Sequence, residues 1–311
     1  MSVAAERAIG RWSNSDLSGG VVLLGSADAR RGTRRRVRWR ISLPGTIGLA
    51  ILALLVGAAL LGPLLVDVDP ARQDLRGRLA PPVWAGGDTN HLLGTDQLGH
   101  DVLARVIAGA RVSLLIGVVA TLAAGVIGVT LGLLAGATGG LVERLVSWIV
   151  DVQMALPFVV VGIALTAALG HGLRTVLLTL ALTGWVGYAR IVRLQALALR
   201  RAPFVEAARA VGVGPARLLG RHLLPNLTAP IAVVASQQVA AMILYEAALG
   251  YLGLGLPSGT ITWGGMVASG RESLLAAPWV STIPGLAIAL AVLDFNLLGD
   301  GVRDLLDPEA R

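Results

Sequence analysis

The stretch VEAARAVGVGPARLLGRHLLPN, Val205 to Asn226, interrupts a chain that is otherwise strongly apolar. It holds three arginines, one glutamate and one histidine among alanines and glycines, and four more arginines precede it between Arg190 and Arg201. After it no formal charge appears until Glu246. Long apolar runs on both sides of a compact charged element imply helices that cross a membrane and a polar connection held at its surface.

The composition agrees. Of 311 residues 55% are hydrophobic and only 14% charged, with a mean hydropathy of +0.73, whereas soluble domains carry about a quarter charged residues. All 26 Lys+Arg residues are arginine. A phosphate-cradling P-loop needs its lysine, so nucleotide hydrolysis by that route is not expected of this chain. The absence of cysteine removes disulfides, thiolate metal sites and cysteine nucleophiles. His91, His100, His171 and His222 are scattered without ligand spacing, so no metal is expected. The net charge of +7 would suit nucleic acid, but the arginines gather at the ends of apolar runs, as membrane orientation signals do.

A crossing helix needs about 20 apolar residues. Six stretches qualify: Pro44–Val66, Val112–Ala135, Leu145–Leu169, Thr175–Ala189 with an extension to Arg193, Leu227–Leu252 and Val280–Leu298. Seven arginines lie between Arg30 and Arg40, and seven between Arg190 and Arg221. Four crossings separate the two groups, so the positive-inside rule places both in the cytoplasm and the aspartate-rich segment 67–111 outside. The run from Arg34 into the first span also resembles an export signal, but five further spans make a first transmembrane helix the better reading. In the second span Gly128, Gly132 and Gly136 recur every four residues, which predicts close approach of a neighbouring helix.

Within the charged stretch, Pro203 opens a helix, Glu206 sits in its positive first turn, and Gly212 stops it. Gly214 and Pro215 restart a second short helix that Pro225 ends before the fifth span. Such an element suits either a surface helix on anionic lipid or a docking element for another protein. Alanine and glycine at its surface favour docking.

The order E-A-A-R-A-x-G, nine residues, then H-x-L-P-N, at Glu206, Ala207, Ala208, Arg209, Ala210, Gly212, His222, Leu224, Pro225 and Asn226, resembles the EAA loop of permease subunits of ATP-binding-cassette importers. The resemblance implies an all-α polytopic membrane protein with six transmembrane helices, cytoplasmic termini and a cytoplasmic coupling helix between helices 4 and 5. It implies 41–66 as the first helix, 67–111 as an extracytoplasmic segment, 112–299 as a five-helix core with coupling loop 203–226, and 300–311 as a cytoplasmic tail; residues 1–40 lie outside the resemblance and are expected to be a flexible basic tail. Energy would enter through Glu206, Ala207, Ala208, Arg209, Gly212 and Arg217, docked on an ATPase. The implied partners are a second related permease, one or two ATPase subunits, an extracytoplasmic solute-binding protein and membrane lipid. ATP and magnesium would belong to the ATPases, and no cofactor to this chain.

Two further blocks resemble the dipeptide, oligopeptide and nickel branch, most closely its C-type permeases. One is HLLGTDQLGHDVLARVIAGARVSL, His91 to Leu114, where His100 stands in place of the usual arginine and implies loss of a local ion pair. The other runs from Trp263 to Pro308 and carries Pro278-Trp279, Pro284-Gly285 and the DGVRD of Asp300–Asp304. The expected cargo is a short peptide, with nickel or another small solute as the alternative. Of a different class, a proton-coupled transporter would use Glu246 and Asp151 as relays.

Ionisable groups inside spans are costly and need a reason. Glu246 either lines the translocation path or a gate, pairs with the partner permease, or is an interfacial carboxylate. For Asp151 a structural pair with a nearby arginine is expected, and for Asp294 a pair with the basic face.

Overall fold

The computed structural model describes residues 43–65, 69–257 and 259–306. The basic tail 1–40 and the last residues from Asp307 lie outside the described residues. The elements are α1 (Leu43–Leu65), α2 (Val102–Thr138), α3 (Gly140–Met154), α4 (Phe158–Leu169), α5 (Leu173–Leu199), α6 (Pro203–Ala210), α7 (Pro215–Arg217), α8 (Leu224–Tyr251), α9 (Trp263–Gly270) and α10 (Trp279–Leu306). A single isolated bridge, Thr95 to Asp101, is the extended pairing among the described residues. Among the described residues five helices are long and apolar enough to cross a membrane, and the bent pair α3–α4 makes a sixth crossing if taken as one span.

Three boundaries differ from the sequence expectation. The apolar run Leu145–Leu169 is not one helix: α3 and α4 meet at 89°. Pro157 lacks the N–H that would continue α3 and disfavours a helical Leu156, so the backbone turns there. The second span starts at Val102, ten residues early, because the Asp101 side chain accepts from Ala104 N at 2.8 Å and caps it. Pro225 does not end a short helix. The Leu224 N–H bonds back to Leu219 O in a widened turn, Pro225 needs no donor at the start of α8, and the chain stays helical from Pro215 to Tyr251. The DGVRD block likewise continues α10 to Leu306.

The tightest packing is between α2 and α5. A Cβ on Gly132 would lie 2.6 Å from Ala189 O, and one on Gly136 would lie 2.6 Å from the Ala196 Cβ and 2.7 Å from Arg193 O. The glycine repeat is therefore consumed inside the chain, with Trp185, Tyr188 and Ala189 of α5 buried against it. A second core joins α1, α2, α8, α9 and α10 through Leu55, Leu114, Ile243, Trp263 and Ile288. A third roots the charged stretch under α2 and α5 through Val192, Val205, Leu218, Leu223 and Leu227.

The segment 69–101 is held by polar bonds rather than by a core. The Trp279 indole donates to Thr95 O at 3.1 Å, and the Gln97 amide donates to Ser269 O at 2.7 Å and Ser273 Oγ at 2.6 Å. Near His100 the ion pair is made by Asp96 and Arg105, whose guanidinium also lies 2.6 Å from His100 Nδ1. His100 Nδ1 lies 2.8 Å from Asp96 Oδ2, which also receives Arg105 at 3.4 Å.

Gly132→Val should lower the thermal midpoint of the detergent-purified protein by several degrees, since forcing methyl groups onto packed backbone costs about 1–3 kcal/mol or more. Gly57→Val, with nothing within 4 Å of its Cβ, should leave that midpoint unchanged in the same thermal scan.

Candidate functional site

The charged stretch folds as a platform on buried pegs. Val205 in α6 and Leu218 beyond α7 point into the third core, while Glu206, Ala207, Arg209, Ala210, Val211, Gly212 and Arg217 are exposed and Ala208 is half-buried. Pro203 occupies the first turn of α6 with Glu206 beside it. The helix ends at Gly212, whose φ of +82° favours glycine, with Gly212 N donating to Arg209 O and Val213 N to Ala208 O at 2.9 and 3.0 Å. Phe204 and Val211 are exposed on the same element, Val211 at 85%. The platform thus presents apolar side chains, small residues and both charge signs on one surface.

Sequence reasoning missed part of this surface. Glu143, Arg200, Arg201, Glu206 and Arg209 line one cavity of about 740 Å³. Glu143 comes from α3 and pairs with Arg193 of α5 at 3.4 Å. The adjacent Arg200-Arg201 just before Pro203 was the available signal.

Glu246 lies elsewhere. It is 1% exposed in α8, and its Oε2 accepts from Ser113 Oγ of α2 at 3.3 Å. Thr262 also bonds the carboxyl, and Ser113 Oγ in turn accepts from Trp263 N at 3.2 Å. Its Oε1 has no partner among the described residues. Such burial rules out the interfacial, snorkelling reading and makes Glu246 a tie between α2, α8 and the start of α9. Among the described residues Asp294 does not pair with arginine: it is fully buried facing the Leu52 backbone of α1, without a well-formed bond to either oxygen. Asp151 is exposed and forms no ion pair among the described residues, with Arg193 taken by Glu143 and Ser147.

The family described as binding-protein-dependent transport system inner membrane component matches residues 128–311, and the N-terminal transmembrane domain of oligopeptide transport permease C matches residues 44–82. The chain belongs to this transport-permease family. This permease is a multi-pass inner-membrane component. It is 41% identical over 265 residues to the di/tripeptide transport system permease protein DppC of Pseudomonas aeruginosa (85% of this chain, 88% of the relative). It is 40% identical over 260 residues to the probable D,D-dipeptide transport system permease protein DdpC of Escherichia coli K12 (84% and 86%). It is 36% identical over 275 residues to the oligopeptide transport system permease protein OppC of Bacillus subtilis (88% of each). Its fold resembles that in the inward-facing MetNI methionine ABC transporter, with a TM-score of 0.55, 22% identity, and coverage of 65% of this permease and 97% of that chain.

Glu246→Ala should destabilise this permease by about 1–3 kcal/mol, by opening a cavity and unpairing Ser113. Glu246→Gln keeps shape and bonding and should unfold within a degree or two of the parent by light-scattering thermal scan.

Proposed function

We propose that the chain is the membrane-spanning permease of an ATP-driven, binding-protein-dependent importer of short peptides. The observation that carries this is the exposed platform of α6 and α7, rooted by Val205, Leu218 and Leu223 yet presenting Glu206, Ala207, Arg209, Gly212 and Arg217 outward. An ATPase subunit docks there, hydrolyses ATP with its own magnesium, and moves the platform. Continuity of helix from Pro215 to Tyr251 supports transfer of that movement into the bundle. A second permease completes the path, and the similarity to di/tripeptide and oligopeptide transport permeases supports short peptides as cargo.

On this reading the platform is cytoplasmic and segment 69–101 faces the binding protein. Asp88 supports that role: it is exposed, and hydrogen bonds led by the Asn90 side chain hold its carboxyl below the usual range, so it stays ionised. Asp96 and Asp101, by contrast, are buried and committed to His100, His91 and the α2 cap.

Val211→Asp with Arg209→Glu should leave folding intact, since both side chains are exposed, and reduce ATPase subunit recovered with the affinity-purified permease at least roughly tenfold. Retention of the ATPase at wild-type level would refute the docking assignment. Asp88→Asn should weaken binding-protein capture at low salt and leave ATPase recovery unchanged; equal loss of both in quantitative mass spectrometry would argue for general misfolding instead.

A further inference from the structure

The short helix α9 is fused to the helices around it. Its Gly264 lies directly on the Ala247 backbone of α8, and a Cβ on Gly250 would lie 3.1 Å from both Gly264 C and Gly265 N. Thr262 Oγ1 caps α9 by accepting from Gly265 N at 3.1 Å, and the same side chain bonds the Glu246 carboxyl of α8. The Trp263 indole pins the first turn to α2 by donating to Val106 O at 2.9 Å. At the other end of α9 a Cβ on Gly270 would lie 2.8 Å from Ser281 N of α10. Backbones in such contact do not slide past one another without steric cost, so α9 extends the outer end of α8 by about 12 Å at 1.5 Å per residue.

Segment 69–101 is bonded both to α2 and to this extension. On α2, Asp96 meets Arg105 at 3.4 Å and Asp101 caps the first turn. Gln97, next to Asp96, reaches the far end of α9 and the turn after it, donating to Ser269 O at 2.7 Å and to Ser273 Oγ at 2.6 Å. Its side chain is half-buried, which shields these bonds from competing water. The backbone that carries it is stiff: Leu98 N and His100 N both donate to Asp96 Oδ1 at 2.9 Å, and Asp96 N donates to His100 O at 3.0 Å. A side chain mounted on so tight a turn passes a displacement on instead of absorbing it.

We propose that Gln97 is the joint between the α8–α9 unit and the surface offered to the binding protein. Movement begun at the platform reaches segment 69–101 through α8, α9 and Gln97, and a docked binding protein acts back by the same route. The proposal rests on the importer reading and adds to it a positioning residue that touches neither the ATPase nor the solute. The contacts form one contiguous series, from the helix Pro215–Tyr251 through Glu246 and Thr262 to Ser269, Ser273 and Gln97. The Trp279–Thr95 bond leads instead to α10, whose chain does not enter the platform.

The test uses the permease co-purified with its second permease and ATPase, reconstituted in vesicles, with binding protein and dialanine added in rising amounts. ATP hydrolysis then gives a basal rate, a stimulated plateau and a half-saturating concentration of binding protein. In Gln97→Ala stimulation at the plateau should fall at least about threefold, the loss expected for one hydrogen bond or more. Basal rate, half-saturation and thermal midpoint should stay at the parent's values. Gln97→Lys keeps an N–H donor for both acceptors and should recover most of the plateau. Ser273→Ala removes a single hydroxyl, should lower the plateau by itself, and carries the test if Gln97→Ala is unstable. Added to Gln97→Ala it should cost nothing further, since the two groups act as one contact. A parental plateau in Gln97→Ala or, where that variant is unstable, in Ser273→Ala overturns the joint and leaves the importer reading standing. A raised half-saturation with a parental plateau also overturns it, because Gln97 would then only shape the docking surface. A parent complex that lacks an ATPase, or whose hydrolysis ignores binding protein, removes the importer reading and the joint with it.

Discussion

The backbone of α5 occupies the space that side chains of α2 would otherwise fill, and the rest of the bundle is arranged around that contact. Inside lipid there is no apolar driving force between helices, so association depends on close van der Waals approach. Gly128, Gly132 and Gly136 provide it by letting α2 ride against the carbonyls of Trp185, Ala189 and Arg193. With α2 and α5 fixed, α3 lays Val146 and Val150 into the same core. Val192, Val205, Leu218 and Leu223 hang the surface platform from its end. Had the seam been wider, the platform would have no fixed root.

Hydropathy alone located the crossings, because apolar length is dictated by bilayer thickness and does not depend on tertiary detail. The two short helices and the break at Gly212 were legible too, since proline and glycine impose their turns locally. What the sequence could not convey were features set by backbone hydrogen bonding across an apolar run. Leu145–Leu169 reads as one span because a proline flanked by apolar residues leaves hydropathy unchanged while it breaks the backbone. The early start of α2 was hidden for the opposite reason: Asp101 looks like a polar loop residue until its carboxylate is seen capping Ala104.

The buried carboxylates make the same point at the level of the site. Position along a helix left Glu246 open among the path or a gate, the partner permease and the interface, and suggested an arginine partner for Asp151. Partner choice depends on rotation about the helix axis, and a rotation of one residue, about 100°, exchanges a core position for an exposed one. Arg193 faces Glu143 and Ser147, and Arg190, three residues earlier, faces open space. No linear count could separate those two arginines.

The uninterrupted helical run from Pro215 to Tyr251 has a geometric consequence. Its 37 residues extend about 55 Å at 1.5 Å per residue. Held near one end, a rod of that length turns a tilt of 5° into about 5 Å of sideways travel at the other, roughly the pitch of one helical turn. Glu246 and its hydroxyl partners sit near one end of this rod and the exposed platform at the other. Small angular adjustments at the surface are thus magnified into displacements the size of a side chain across the thickness of the membrane, without any internal joint having to open.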